Sequence, residues 1–107
     1  GFSLIDSRCV EISTSELASN LYFHTSNGGI LLFSTVTREG RSGIQIVSID
    51  YGPGIPDIDQ AMRDGYSTNG GLGGGLPGIQ RLMDEFEITS EPGSGTCIVA
   101  RKMKRCR

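Results

Sequence analysis

Ile44-Gln45-Ile46-Val47-Ser48-Ile49-Asp50-Tyr51-Gly52-Pro53-Gly54 is a run of branched apolar residues that ends in a carboxylate and then in a turn. Branched side chains pack well on a pleated surface, whereas Gly and Pro supply turn geometry in place of ladder hydrogen bonds. The run therefore reads as a strand that finishes at Asp50. Ile30 to Thr37, upstream, has the same character, and Arg38-Glu39-Gly40 supplies a turn between the two, so the pair predicts an antiparallel hairpin.

Working outward, Cys9, Val10, Ile12, Leu17, Ala18 and Leu21 recur at helical spacing between Asp6 and about Phe23, with Ser3 or Asp6 available as N-cap. Asn27-Gly28-Gly29 turns the chain from this helix into the hairpin. Beyond it, Pro53 and Pro56 interrupt regular structure, and 57–62 predicts a short helix before Gly65. Pro77 sits where a first-turn proline is tolerated, and Leu76, Ile79, Leu82, Met83 and Phe86 mark one face of a second main helix ending near Asp84 to Phe86. Phe86 to Ser90 and Thr96 to Met103 read as two strands joined by Glu91-Pro92-Gly93-Ser94-Gly95. Helix, two strands, loop, helix, two strands is the order of a two-layer α/β sandwich, with helices on one face of a mixed, largely antiparallel sheet.

The 107 residues suffice for one domain, residues 1–107. The longest purely aliphatic or aromatic run, Ile30 to Phe33, is far too short to cross a bilayer, and no secretory leader precedes it. The chain opens at Gly1-Phe2 without an initiating Met, which predicts N-terminal truncation of a longer protein. Cys9, Cys97 and Cys106 form no CxxC pair, so neither a disulfide framework nor a zinc site is expected, and a reducing, cytoplasmic setting fits best. With His24 as the single histidine, a Ser-His-Asp triad has almost no material. The net charge is −2, yet Arg101, Lys102, Lys104, Arg105 and Arg107 place half of the ten basic residues in the last seven positions. This basic tail, 101–107, reads as a frayed, solvated terminus and not as a nucleic-acid site.

Glycine is in excess, 16 of 107 residues, concentrated between Gly65 and Gly78. The stretch Gly70-Gly71-Leu72-Gly73-Gly74-Gly75-Leu76-Pro77-Gly78 feeds a helix N-terminus, where unpaired N–H groups and the helix dipole favour phosphate. Gly73, Gly75 and Gly78 also satisfy GxGxxG, but no strand immediately precedes them, and no Lys or Arg lies between Arg63 and Arg81, which excludes a Walker P-loop. Glu16 and Asn20, four residues apart, share a helix face. A carboxylate there can orient or deprotonate a hydroxyl, and an amide oxygen is a hard ligand suited to Mg²⁺, although such a pair alone is more often a solvated polar face. Asp50, an acceptor without a proton when ionised, can receive a hydrogen bond from an exocyclic amine, while Gly52 and Gly54 leave bare backbone for a planar ring. A plain strand-end turn explains these residues equally well.

The order of these features is more specific than any one of them. Glu16-Leu17-Ala18-Ser19-Asn20, then Asp50-x-Gly-x-Gly, the glycine-rich lid, and Gly95-Thr96 on a late strand resemble the GHKL ATPase superfamily of gyrase, Hsp90, histidine kinases and MutL, over essentially all of residues 2–103. Asp50-Tyr51-Gly52-Pro53-Gly54-Ile55-Pro56-Asp57, Gly65-Tyr66-Ser67-Thr68 with the glycines after it, and Arg81-Leu82-Met83-Asp84-Glu85-Phe86 resemble the RsbT branch of the RsbT/RsbW-type anti-sigma-factor serine/threonine kinases. The resemblance implies the Bergerat fold, with ATP and Mg²⁺ as cofactors. It implies Glu16 as general base, Asn20 as Mg²⁺ ligand, Asp50 as adenine reader, and Gly52 and Gly54 as the adenine platform. Gly71, Gly73, Gly74, Gly75 and Leu76 would form the phosphate lid, and Thr96 would support the Asp50 end through its hydroxyl. The partners implied are a STAS-domain antagonist protein, phosphorylated on serine or threonine, and a downstream regulator, in a chain that can also form a homo-oligomer. A lid without arginine keeps a nucleotide-dependent partner-switching module without kinase turnover as an alternative, beside a histidine-kinase-type catalytic domain.

Overall fold

A computed structural model describes residues 2–24, 28–55, 62 and 75–104. Helix α1 spans Leu4–His24, strands β1 and β2 span Gly29–Arg38 and Arg41–Asp50, helix α2 spans Gly75–Leu82, and strands β3 and β4 span Glu85–Glu91 and Gly95–Met103. The strands form one sheet in the order β1-β2-β4-β3, and all three pairings are antiparallel. This is the two-layer α/β sandwich expected of the sequence, except that among the described residues the sheet is antiparallel throughout and not mixed.

Local chemistry sets the element ends. The Ser3 hydroxyl accepts the Asp6 N–H at 3.1 Å, so Ser3 caps α1 and Asp6 falls in its first turn. Arg38 pairs with Arg41, leaving Glu39 and Gly40 as a two-residue loop with φ of 53° and 79°. Two successive left-handed residues make the type I′ turn that matches strand twist. Helix α2 stops at Leu82, earlier than the apolar spacing predicts, and Phe86 belongs to β3. Lys102 Nζ donates to the Leu82 carbonyl at 2.8 Å, and Asp84 binds β4 at both ends, its N–H to the Arg101 carbonyl and its Oδ2 to the Met103 N–H. Those tertiary bonds end the helix where local spacing would continue it.

One sheet face carries the core. Register aligns Leu31, Ser48, Ile98 and Ile88 in one row, and Phe33, Ile46, Ala100 and Phe86 in the next. Leu17 of α1 and Leu76 and Ile79 of α2 cover this face, giving a core of Leu17, Ile46, Leu76, Ile79, Met83, Ile98 and Ala100, with Val10, Leu31, Ile55 and Met62 packed against it. Each fully buried Leu or Ile is worth about 1.5–3 kcal/mol. On the opposite face, Arg101 donates to Gln45, Glu85 and Glu87, and Arg38 reaches Glu85 at 2.8 Å. The hydrogen bond to Glu87, followed by that to Glu85 and the charge of both carboxylates, holds the Arg101 guanidinium above its ordinary pKa against the opposing effect of burial.

The basic tail expected over 101–107 starts later than the sequence suggests. Arg101 and Lys102 are β4 residues, and Lys102 is only 8% exposed. Its ammonium lies 3.7 Å from Asp6 Oδ1 and 3.6 Å from Asp84 Oδ1, a cationic centre that ties α1, α2 and β4 together at one end of the sheet. Residues 105–107 lie outside the described residues, as does nearly all of the short helix expected over 57–62, of which Met62 alone is described.

Candidate functional site

At the other end of β4, cross-strand register places Gly29, Asp50, Thr96 and Ser90 in one row on the helix-side face. Asp50 Oδ1 accepts two backbone N–H groups, from Gly52 at 3.0 Å and from Thr96 at 3.2 Å. Among the described residues no hydrogen bond occupies Oδ2. The strand end is thus locked through one oxygen, which leaves the other as an acceptor. The following turn lies over the β3–β4 hairpin: Gly93 N–H donates to the Pro53 carbonyl at 2.9 Å, and Ile55 N–H to Ser90 Oγ at 2.6 Å.

Two glycines permit this approach. A Cβ on Gly54, whose φ is 85°, would meet the Glu91 carbonyl oxygen at 2.6 Å, and one on Gly95, φ 96°, would land on the Asp50 carbonyl oxygen. Both positions combine a left-handed backbone with a contact that no side chain can enter.

Between this turn and α1 opens a cleft of about 540 Å³, part of it open to solvent, lined by Asn20, Asp50, Pro53, Gly54, Ile55, Leu76, Thr96 and Ile98. Its walls combine apolar side chains with a few polar groups, the usual composition of a small-molecule site. Glu16 lies one turn before Asn20 and is 2% exposed. Glu16 Oε2, Asn20 Oδ1 and Ser13 Oγ are buried without a hydrogen-bond partner among the described residues. Orphaned buried acceptors are costly, so their persistence on one helix face marks a place built to receive a donor or a cation. The solvated-face reading of Glu16 and Asn20 therefore fails for Glu16.

Known proteins resemble this chain. Residues 6–105 match the family described as histidine kinase-, DNA gyrase B-, and HSP90-like ATPase. The chain belongs to this ATPase family. It is 48% identical over 105 residues to the serine/threonine-protein kinase RsbT of Bacillus subtilis (strain 168), a match covering 98% of this chain and 78% of that protein. It is 32% identical over 92 residues to the anti-sigma F factor of Thermoanaerobacter sp. (strain X514), covering 83% of this chain and 64% of that protein. The anti-sigma F factor of Clostridium acetobutylicum is 30% identical over 98 residues, covering 87% and 67%.

In this member of the ATPase family, the cleft brings together Asn20, Asp50, Gly54, Leu76 and Thr96 of the residues singled out from sequence. Gly52 is buried beside them and contributes its N–H to Asp50. Gly75 is the buried first residue of α2, with φ 75°. Gly71, Gly73 and Gly74 lie outside the described residues. Thr96 reaches Asp50 through its backbone N–H, whereas its hydroxyl engages Ser90 at 2.9 Å. Pro53 lines the cleft as part of the Asp50–Gly54 turn, whereas Ile55 and Ile98 were not foreseen as wall residues. Strand alternation offered a signal for Ile98, two residues beyond Thr96 on the same face. Ser90, among Thr and Glu on an edge strand, offered none.

Proposed function

We propose that this chain is a Mg²⁺-ATP-dependent protein-serine/threonine kinase of the partner-switching type, acting on a STAS-domain antagonist protein in the cytoplasm and exchanging it for a downstream regulator. The observation that carries the reading is the pair of buried oxygens without a partner among the described residues, Glu16 Oε2 and Asn20 Oδ1, on the helix that walls a cleft containing Asp50. The likeness to RsbT supports the kinase class, and the anti-sigma F factors support partner exchange. The unpaired Cys9 and Cys97 suit a reducing compartment.

The division of labour follows from the donor set. Asp50 Oδ2 accepts from the adenine amine while Oδ1 is held by Gly52 and Thr96. Gly52 and Gly54 present backbone to the ring, and the start of α2 at Gly75 and Leu76, with Gly71, Gly73 and Gly74 ahead of it, presents N–H groups to phosphate. Asn20 Oδ1, a neutral hard oxygen lacking a partner among the described residues, fits a Mg²⁺ ligand. Mg²⁺ bound there supplies neutralisation of phosphate charge. Glu16 takes the proton from the acceptor hydroxyl as that oxygen receives the γ-phosphoryl group from ATP and ADP departs.

Incubation of the chain with labelled ATP, Mg²⁺ and candidate STAS proteins should give label on a serine or threonine, lost in Glu16→Ala. Transfer unaffected by the substitution would remove Glu16 as base. The lid, with no Lys or Arg between Arg63 and Arg81, favours a second reading in which nucleotide only switches partners. Nucleotide-dependent capture of the STAS protein without label transfer would select it.

A further inference from the structure

We infer that Ser90 is a positioning residue for the adenine seat, which sets the hydrogen-bond polarity of Thr96 and holds the Pro53–Ile55 turn; the inference rests on the adenine-binding reading above. Ser90 is not a wall of the cleft, yet its Oγ touches three groups that shape the cleft: the Ile55 N–H at 2.6 Å, Thr96 Oγ1 at 2.9 Å and the Gly95 carbonyl at 3.3 Å. Ile55 and Thr96 are wall residues, and Gly95 is the glycine against which the Asp50 carbonyl packs.

A serine hydroxyl has one proton and two acceptor lone pairs. The Ile55 N–H uses one lone pair. All three contacts are satisfied together in a single arrangement, in which Thr96 donates its proton into the second lone pair and Ser90 donates its own to Gly95. Thr96 then has only lone pairs to present to the cleft. It becomes a second acceptor beside Asp50 Oδ2, so two acceptors face a ligand at the position where an amino-purine carries its exocyclic N–H groups and a 6-oxo-purine carries a carbonyl. Ser90 thereby contributes to the choice of base without touching it. Loss of its hydroxyl would strand the Ile55 N–H and release the Thr96 proton, which could then turn toward a carbonyl.

The test is calorimetric titration of ADP and of inosine diphosphate into the wild-type chain and into Ser90→Ala, Ser90→Thr and Thr96→Val, with melting curves for each. Ser90→Ala should weaken ADP binding by about three- to tenfold, the worth of one hydrogen bond, and weaken inosine diphosphate less, so that discrimination between the two narrows. Ser90→Thr, which keeps the hydroxyl, should restore both values. In the Thr96→Val background, Ser90→Ala should cost less than it does alone, because the two hydroxyls act as a pair. Should the alanine variant fail to fold, Ser90→Cys, with its weaker donor and acceptor, reports the same narrowing. Equal weakening of the two nucleotides would reduce Ser90 to a structural strut and overturn the inference, as would unchanged affinity for both. A wild-type chain that binds neither nucleotide would instead overturn the adenine site itself.

Discussion

Asp50→Asn exchanges a carboxylate for an amide of nearly the same shape. In the wild type, Oδ1 already receives the Gly52 and Thr96 N–H groups at 3.0 and 3.2 Å. An asparagine has one oxygen, and two fixed backbone donors oblige it to occupy that place. The NH₂ group then takes the position of Oδ2, so a donor faces the cleft where an acceptor stood. For an adenine nucleotide the exchange removes a charge-assisted hydrogen bond, worth about 1.5–3 kcal/mol, which corresponds to roughly a 10- to 150-fold rise in Kd. For a 6-oxo-purine nucleotide the new donor meets a carbonyl, and the loss should be smaller or reversed. The fold should hardly change, because both backbone bonds survive in weaker, uncharged form. Titration calorimetry with ADP and inosine diphosphate, beside thermal melts, measures all three effects. An ADP affinity equal to wild type in a variant that melts normally would refute Asp50 as the adenine reader.

Gly95→Ala puts a methyl group on the Asp50 carbonyl in a left-handed backbone; nucleotide binding should fall below detection and the melting temperature should drop, whereas Gly93→Ala, whose Cβ meets nothing within 4 Å, should cost only its own left-handed strain, about 1–2 kcal/mol. Lys102→Met removes the cation between Asp6 and Asp84 and the donor to Leu82. Breaking such a buried pair costs about 3 kcal/mol, or roughly 12–24 °C of melting temperature in a domain of this size; a shift under about 3 °C on the same scale would refute its structural role. Glu16→Leu fills the site of a buried oxygen that has no partner among the described residues and should raise the melting temperature while abolishing phosphoryl transfer, a trade common at active sites; a lower melting temperature would show that the carboxylate is satisfied in solution.

Some elements were legible because their signals are local. Glu39-Gly40 between two apolar runs specifies its hairpin through backbone conformation alone, and the Ser3 cap needs only the first turn of α1. The end of α2 was not legible, since Leu82, Met83 and Phe86 continue a helical spacing that Lys102 and Asp84 interrupt from a distance. Lys102 itself reads as part of a basic tail until β4 carries it inward to Asp6. Glu16 and Asn20 could be recognised as a pair by spacing and by resemblance, but the burial of Glu16 depends on the tertiary packing of α1, which no i,i+4 rule contains. Ser90 was invisible for the same reason, because its partners lie 35 and 6 residues away and only the folded turn brings them to one oxygen.

The Asp6–Lys102 contact has a reach longer than its own length. Asp6, Ser13 and Asn20 are spaced by sevens along α1, so they lie on one stripe of the helix, with Asp6 1% and Ser13 0% exposed and Asn20 at the cleft. A rigid helix has one rotational setting, and the ion pair holds it at the N-terminal end, about 21 Å along the axis from Asn20. The salt bridge thus clocks the helix: a few degrees of roll allowed at Asp6 would be delivered undiminished to the carbonyl of Asn20 and the carboxylate of Glu16, swinging both off their aim without altering a single residue of the cleft.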